Sequence, residues 1–290
     1  MKRYLFDFHT QTLEHGLNKP LLVEETIYAA IDMGLSAICL TDHYPLPPGF
    51  TDPTEEKDCA MPMSWYADYQ QEITKAIDKY KGQIEIYRGA EFDWLPEYED
   101  WIKSQVGKWQ FDYVIGSVHF VGQISDQKGK RNFIVDYEEN EFLKGIASYG
   151  GIKPLIFAYY KLVRQMVKSG LFDGVGHIDL IKKYNDGSLF SEKAEWYRQA
   201  IFETLGVIAD SDMTMEVNTS GWDKKCKSAY PSPWIVNEAF RQNIGLTIGS
   251  DGHVPEAIGR NLDKAVLLAK KAGYKKLLKY KKRKRVEAVI

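Results

Sequence analysis

Six histidines are spread along this chain of 290 residues, and each falls next to a polar break after a short apolar run. His9 and Gln11 close the first run, in Phe8-His9-Thr10-Gln11-Thr12, and His15 follows four residues after Gln11. Asp42-His43 close the second, Glu91 the third, and His119 the fourth. His177 and Asp179 close the fifth, and Asp251 and His253 the last. A single histidine at such a place is commonly a solvated or satisfied residue. Joint placement is a different matter. Imidazoles and carboxylates crowded on one face repel or lack partners unless a cation organises them. Imidazole suits Zn, Fe, Mn or Ni, and a bridging carboxylate suits a centre of several metals.

The elements that must position these residues are legible as an alternation. Strands are predicted at Arg3–Phe8, Ser36–Thr41, Ile84–Ala90, Tyr113–Val118, Phe172–Gly176, Thr214–Asn218 and Gly245–Gly249. Each is brief and apolar with Gly, Asp or Asn at its flanks, as buried parallel strands are. Helical spacing of apolar residues marks Leu22–Met33, the stretch from Ser64 to Tyr80, Leu155–Ser169, Glu192–Asp210, Ser232–Asn243 and Leu262–Tyr280. Ser64 is placed to cap the second of these. Repeated strand–helix units give an α/β fold, and seven strands with crossovers suit a closed barrel better than an open sheet. Long polar or Gly/Pro-rich segments follow strands at Tyr44–Pro62, Gly122–Tyr137 and Ser220–Pro233. Loops after strand C-termini are where barrels build active sites. No linker or repeat interrupts the pattern, so residues 1–290 read as one domain.

Composition narrows the function classes. Apolar residues make up 44% of the chain, enough for a large core. No run reaches the ~18–20 apolar residues of a membrane span, and Met1–Thr10 does not read as a signal peptide. Cys39, Cys59 and Cys226 are odd in number and far apart, which fits a reducing, cytoplasmic setting. The formal net charge of −2 divides unevenly: +9 in residues 270–290 and −11 in the remainder. That basic end, with Lys281-Lys282-Arg283-Lys284-Arg285, reads as a solvated last helix whose cations favour its C-terminus. It lacks any recognised nucleic-acid module, so no nucleic-acid partner is expected. No Gly-rich phosphate loop is present, which argues against nucleotide chemistry.

Eight segments together resemble the polymerase-and-histidinol-phosphatase (PHP) superfamily of phosphoesterases. They are His9-Thr10-Gln11-Thr12, Thr41-Asp42-His43, Gly89-Ala90-Glu91, Gly116-Ser117-Val118-His119-Phe120, Gly176-His177-Ile178-Asp179-Leu180, Glu216-Val217-Asn218-Thr219-Ser220-Gly221, Tyr230-Pro231-Ser232-Pro233 and Ile248-Gly249-Ser250-Asp251-Gly252-His253. Gly-Ser-Val-His-Phe, Asn-Thr-Ser-Gly and Tyr-Pro-Ser-Pro point to its histidinol-phosphate phosphatases. The resemblance implies a distorted (β/α)7 barrel with two or three divalent metal ions (Zn, Fe or Mn) at the strand C-terminal face. By it, His9, Gln11, Glu91 and Asp251 would hold one ion. Glu91 would bridge to a second, held also by His119 and His177, and His15, His43 and His253 would hold a third. Gln11 departs from the family, which usually has a second histidine there; a neutral amide oxygen is a weaker ligand than imidazole and prefers harder cations.

The implied reaction is hydrolysis of L-histidinol phosphate in histidine biosynthesis, with direct attack by a metal-activated hydroxide. A related phosphoesterase with another phosphomonoester substrate, and a metal-depleted binding or regulatory barrel, are the alternatives. The sequence has no phosphatase-type Cys loop and no Asp-x-Asp-x-Thr after a strand. Glu91, Asp251, Asp42 and Asp179 are the expected catalytic carboxylates. Either of the last two could orient an imidazole or protonate the leaving group. Lys182, Lys183, Lys224 and Arg260 are candidate phosphate contacts. Phe120, Trp94, Trp222, Tyr44 and Asp93 lie in the segments that would shape a pocket for histidinol. The oligomeric state is left open.

Overall fold

A computed structural model describes residues 5–12, 22–126 and 129–290. In chain order the elements are β1 (Phe6–Thr10), α1 (Val23–Asp32), β2 (Ala37–Leu40), α2 (Met63–Lys79), β3 (Glu85–Asp93), α3 (Glu99–Lys108), β4 (Tyr113–Ser117), β5 (Phe120–Asp126), β6 (Gly129–Ile134), α4 (Glu139–Ser148) and α5 (Ile152–Ser169). There follow β7 (Gly174–Val175), α6 (Glu195–Ala209), β8 (Thr214–Asn218), α7 (Pro233–Arg241), β9 (Leu246–Gly249), α8 (Leu262–Ala272), β10 (Lys276–Lys281) and β11 (Lys284–Val289). Seven strands form one parallel sheet in the order β1-β2-β3-β4-β7-β8-β9. Its ends meet just past the strands, where Asp251 N–H donates to His9 O at 2.8 Å and Gln11 N–H to Gly252 O at 2.9 Å. The sheet therefore curls into a nearly closed, distorted (β/α)7 barrel with helices outside.

The strands are short because their residues are apolar on both faces and buried, as for Ala37–Leu40 and Leu246–Gly249. Helices present one apolar stripe to them. In α5 the buried set is Leu155, Ile156, Tyr159, Tyr160, Val163, Met166 and Val167, at helical spacing. β3 is the longest barrel strand, and it is shared. Its first half pairs with β2, Ala37 to Leu40 beside Glu85 to Arg88, and its second half pairs with β4, Gly89 to Asp93 beside Tyr113 to Ser117. That stagger carries Glu91 deep into the C-terminal mouth.

Several expectations are corrected here. α2 starts at Met63 after Pro62, whose φ of −59° sets the first turn, so Ser64 is inside the helix and caps nothing. The supposed Gly122–Tyr137 loop is mostly the antiparallel hairpin β5–β6, whose Val121, Ile124 and Phe133 join the core while Phe120 and Ile134 line the cavity. α3 and α4 are additional helices. The expected helix over Leu262–Tyr280 stops at Ala272, because Gly273 adopts φ +115°. The basic end is therefore not helical. It forms the hairpin β10–β11, turning through Lys282 and Arg283 with φ of 50° and 61°, the left-handed pair that a tight hairpin requires.

This hairpin covers the N-terminal end of the barrel. Tyr280 stacks on Tyr113 with centroids 4.8 Å apart, and its hydroxyl donates to Asp173 O. Arg283 Nε lies 3.0 Å from both Asp173 oxygens, Arg283 Nη2 donates to Leu171 O, and Lys282 N–H donates to Asp112 Oδ1. Asp173 is almost fully buried, so losing the guanidinium leaves its charge uncompensated. We expect Arg283→Ala to cost about 2 kcal/mol in urea unfolding, and the exposed Lys284→Ala less than about 0.5 kcal/mol. Equal losses would mean that the hairpin is held by charge in general and not by this contact.

Candidate metal centre

The C-terminal mouth gathers five of the six histidines around one carboxylate. His15 lies outside the described residues. Glu91 is wholly buried. Its Oε2 faces His9 Nε2 at 2.9 Å, Gln11 Nε2 at 2.9 Å and His43 Nδ1 at 3.4 Å. Its Oε1 faces His177 Nε2 at 2.9 Å and His119 Nε2 at 3.7 Å. His43 reaches this place because it forms a parallel bridge with Glu91 beyond the end of β2. Asp251 completes the cluster, with Oδ1 3.5 Å from His9 Nε2 and 3.8 Å from His253 Nδ1. Its backbone has φ +53°, a left-handed conformation that non-glycine residues adopt rarely and Asp more often than most. Asn218 Nδ2 donates to Asp251 Oδ2 at 3.2 Å.

Outer carboxylates fix two of the imidazoles. Glu216 Oε1 sits 2.7 Å from His9 Nδ1, and Glu216 Oε2 accepts from the His177 backbone N–H. Asp93 Oδ1 sits 2.8 Å from His119 Nδ1. In both cases one ring nitrogen is held from behind and Nε2 is turned to the centre, the arrangement of a metal-ligating histidine. Gly249 makes the approach of His9 and Glu216 possible: a Cβ there would come within 2.3 Å of His9 Cβ and 2.5 Å of Glu216 Oε1. Asp7, two residues before His9, accepts from Ser250 N–H and Gly259 N–H at 2.9 Å each and ties β1 to the segment after β9. Burial pushes the Asp7 carboxyl up to about 6, against those hydrogen bonds.

The charges answer one another. Burial opposes a charge on His9, but Glu216, Glu91 and Asp251 push it well above the ordinary histidine value. Burial likewise opposes His119, and Asp93 with Glu91 pushes it up to about 10. Burial would raise Glu91, yet His9 and His43 hold its carboxyl well below the usual range. Asp251 is also held low against burial, by His9 and His253. Two triads have ligand atoms within 4.8 Å of one another: His9, His177 and Asp251, and His43, Glu91 and His119. Mixed imidazole and carboxylate donors, with outer carboxylates on His9 and His119, fit divalent cations. The grouping differs from that implied by the resemblance, since His177 joins His9 and Asp251, and His43 joins Glu91 and His119.

The centre opens into a cavity of about 460 Å³, whose walls include Asp93, His119, Phe120, Asp136, Lys183, Lys224 and Arg260. Lys183 Nζ bonds the Asp136 backbone oxygen and lies 3.3 Å from Asp136 Oδ2. Lys224 is held below the usual lysine value by burial and by Lys183 nearby. Arg260 Nε lies 2.9 Å from Asp223 Oδ2.

Three expected site residues lie elsewhere. Lys182 is fully buried, with Nζ 2.8 Å from Asp179 Oδ2, 2.8 Å from Ala229 O and bonded to Ser232 Oγ. The 3-10 turn Leu180–Lys182 sends it into the core and Lys183 to the cavity. Asp179 is its counter-ion and accepts from Ser232 N–H, with no hydrogen bond to an imidazole among the described residues. Asp42 accepts from Thr12 N–H, Thr12 Oγ1 and Tyr69 Oη, holding the chain after Gln11, and does not line the cavity. Tyr44 is buried against Phe92. Trp94 is also buried and Trp222 partly so. Glu216 and Asp136 received no role from the sequence. Glu216 had a signal: it shares a strand face with Asn218 inside a recognised segment, as Asp93 does with Glu91.

The comparisons agree with this geometry. The PHP domain family matches residues 7–220. The histidinol-phosphatase of Bacillus subtilis is 32% identical over 259 residues, covering 87% of this chain and 93% of that one. A candidate histidinol phosphatase from Listeria monocytogenes superposes with a TM-score of 0.81 at 26% identity, over 90% of this chain and 99% of that one. The histidinol phosphate phosphatase of Lactococcus lactis, solved with zinc, L-histidinol and phosphate, has a TM-score of 0.76 at 22% identity, over 98% and 100%. Among the described residues no helix is long and apolar enough to cross a membrane. With imidazoles from several barrel strands gathered on Glu91 and three cationic side chains lining the same cavity, the chain belongs to the PHP-domain family, in its histidinol-phosphatase group.

Proposed function

We infer that this protein is a divalent-metal-dependent phosphomonoesterase that hydrolyses L-histidinol phosphate to L-histidinol and inorganic phosphate. The observation that carries the reading is the shared cavity, lined both by His43, His119, His177, Asp251 and His253 of the cluster and by Lys183, Lys224 and Arg260. Two cations fit the two triads, drawn from Zn, Fe and Mn. His9, His177 and Asp251 would hold one, and His43, Glu91 and His119 the other, with His253 beside Asp251. When bound, such ions supply Lewis acidity and lower the pKa of water toward ~7.

The chain's own groups supply the rest. Lys183, Lys224 and Arg260 bring positive charge to phosphoryl oxygens, as point charges in the two lysines and as a planar fork in the arginine. Asp136 is partly buried and held acidic at about 2: desolvation opposes ionisation, and Lys183, His119 and His177 favour it. With Asp93 it gives the cavity carboxylates for a cationic substrate end, while Phe120 offers an aromatic face to an imidazole. The three thiols are unbridged, which supports a cytoplasmic setting.

Reconstituted protein should release phosphate from L-histidinol phosphate with kcat/KM on the order of 10²-fold above that for glycerol phosphate, and a chelator should abolish both. Equal rates on the two substrates would overturn the histidinol assignment. A protein that retains less than two metal ions per chain would instead favour a binding barrel.

Protons and cations compete for the same nitrogens. A histidine raised to about 10 remains protonated in the metal-free fold at pH 7. Its proton stabilises that fold fully below the ordinary histidine value, and the contribution is lost as pH rises toward 10. Loading must expel the proton on His119. Calorimetry of zinc binding at pH 7, in buffers of different ionisation heat, should show net proton release, with affinity falling as pH falls. Binding that is independent of buffer would contradict this charge balance.

A further inference from the structure

We propose that Gln11 is a hydrogen-bond donor that positions Glu91 and is not a metal ligand, so that the cations rest on imidazole and carboxylate groups alone. The inference rests on the metal-binding reading above and concerns how this chain differs at the position where its family usually has a second histidine.

Gln11 is buried, 2% exposed, and both ends of its amide are engaged. Nε2 donates to Glu91 Oε2 at 2.9 Å, and Oε1 accepts from the His43 backbone N–H at 2.9 Å. The two contacts fix which end is which. A flipped amide would set its oxygen against a carboxylate and its NH2 against an N–H, both repulsive. An amide ligates a cation through oxygen, and here that oxygen serves a backbone donor that cannot move away. His43 is locked beside β3, with Glu91 N–H donating to Asp42 O and Tyr44 N–H to Glu91 O. The Gln11 backbone is fixed as well, by its N–H on Gly252 O at the barrel seam. Ligation would strip buried donors of their acceptors in exchange for a weak neutral ligand.

The role that remains is positional. Glu91 Oε2 receives the amide together with His9, so one direction of approach to that oxygen is occupied by a neutral donor. The amide holds the carboxylate plane and links it to the His43 backbone, so that two members of one triad share an anchor.

Zinc stoichiometry and affinity test this, by equilibrium dialysis and chelator competition on wild type, Gln11→Leu and Gln11→His. Gln11→Leu keeps the shape but neither donates nor ligates. It should bind as many zinc ions as wild type, with affinity lower by no more than about 100-fold, the range for loss of an outer partner. Gln11→His supplies an imidazole and should bind zinc at least about tenfold tighter than wild type or take up one more ion. In protein labelled with 15N-glutamine, one slowly exchanging side-chain amide, absent from Gln11→Leu, should persist on zinc loading. Loss of one full zinc ion in a folded Gln11→Leu would overturn the proposal, as would disappearance of that amide signal when zinc is added. Wild type that binds no zinc would overturn the metal centre itself, which separates the two failures.

Discussion

A carboxylate with no access to water is costly by several kcal/mol unless donors surround it, and Glu91 has no access to water. Four imidazoles and one amide face its two oxygens. They come from the ends of β1 and β4, from the segments after β2 and β7, and no single element could bring them together. Closure of the barrel is what makes the charge tolerable. In the metal-free fold the surrounding carboxylates favour protonation of His9 and His119. Under the proposed metal binding, divalent cations would take over that duty, so that one arrangement would serve both folding and metal binding.

The centre is precise because its partners are themselves held. Glu216 holds the His9 ring by one oxygen and the His177 main chain by the other, so two ligands from strands distant in sequence are set by one carboxylate. Gly249 leaves the space that this requires. Asp7 binds three backbone N–H groups, those of His9, Ser250 and Gly259, and so brings the first and last strands into register. That register delivers Asp251 to His9, at a backbone angle more costly for most other residues.

The barrel and most of the ligand residues were legible in the sequence for one reason. In a parallel barrel a residue at a strand's C-terminal end has its location decided by local sequence alone, and apolar runs mark where strands end. What escaped depends on direction or on pairing. Lys182 and Lys183 are adjacent and chemically alike; only the turn Leu180–Lys182 decides that one meets Asp179 in the core and the other meets Asp136 at the cavity. Asp42 and Asp179 neighbour ligand positions yet bind Thr12 with Tyr69, and Lys182 with Ser232. Glu216 and Asp93 lie inside strands, where a carboxylate is recognised as an anchor only when its imidazole is known. The hairpins β5–β6 and β10–β11 were hidden because their buried apolar residues are broken up by polar ones, unlike the apolar runs of the barrel strands, and a run of Lys and Arg masked the buried Leu277 and Tyr280.

The placement of the basic hairpin raises the question of why a phosphate monoester would go to one end of the barrel when much positive charge lies at the other. Several cations of the hairpin are already matched: Arg283 with Asp173, Lys279 with Glu85, Lys276 with Glu287. The unmatched ones are solvated and screened within roughly 8–10 Å. At the mouth the situation is reversed. Lys224 stands exposed at the cavity, where partial desolvation and the like charge of Lys183 disfavour its ammonium, so an arriving anion is favoured there. Cations gathered in one concavity attract phosphate more strongly than cations spread over a convex surface. The charge count of the chain therefore says little about where its substrate binds, and the grouping of Lys183, Lys224 and Arg260 around one cavity says most of it. The same separation keeps the hairpin free to stabilise the N-terminal end, where it seals the barrel without competing for the ligand.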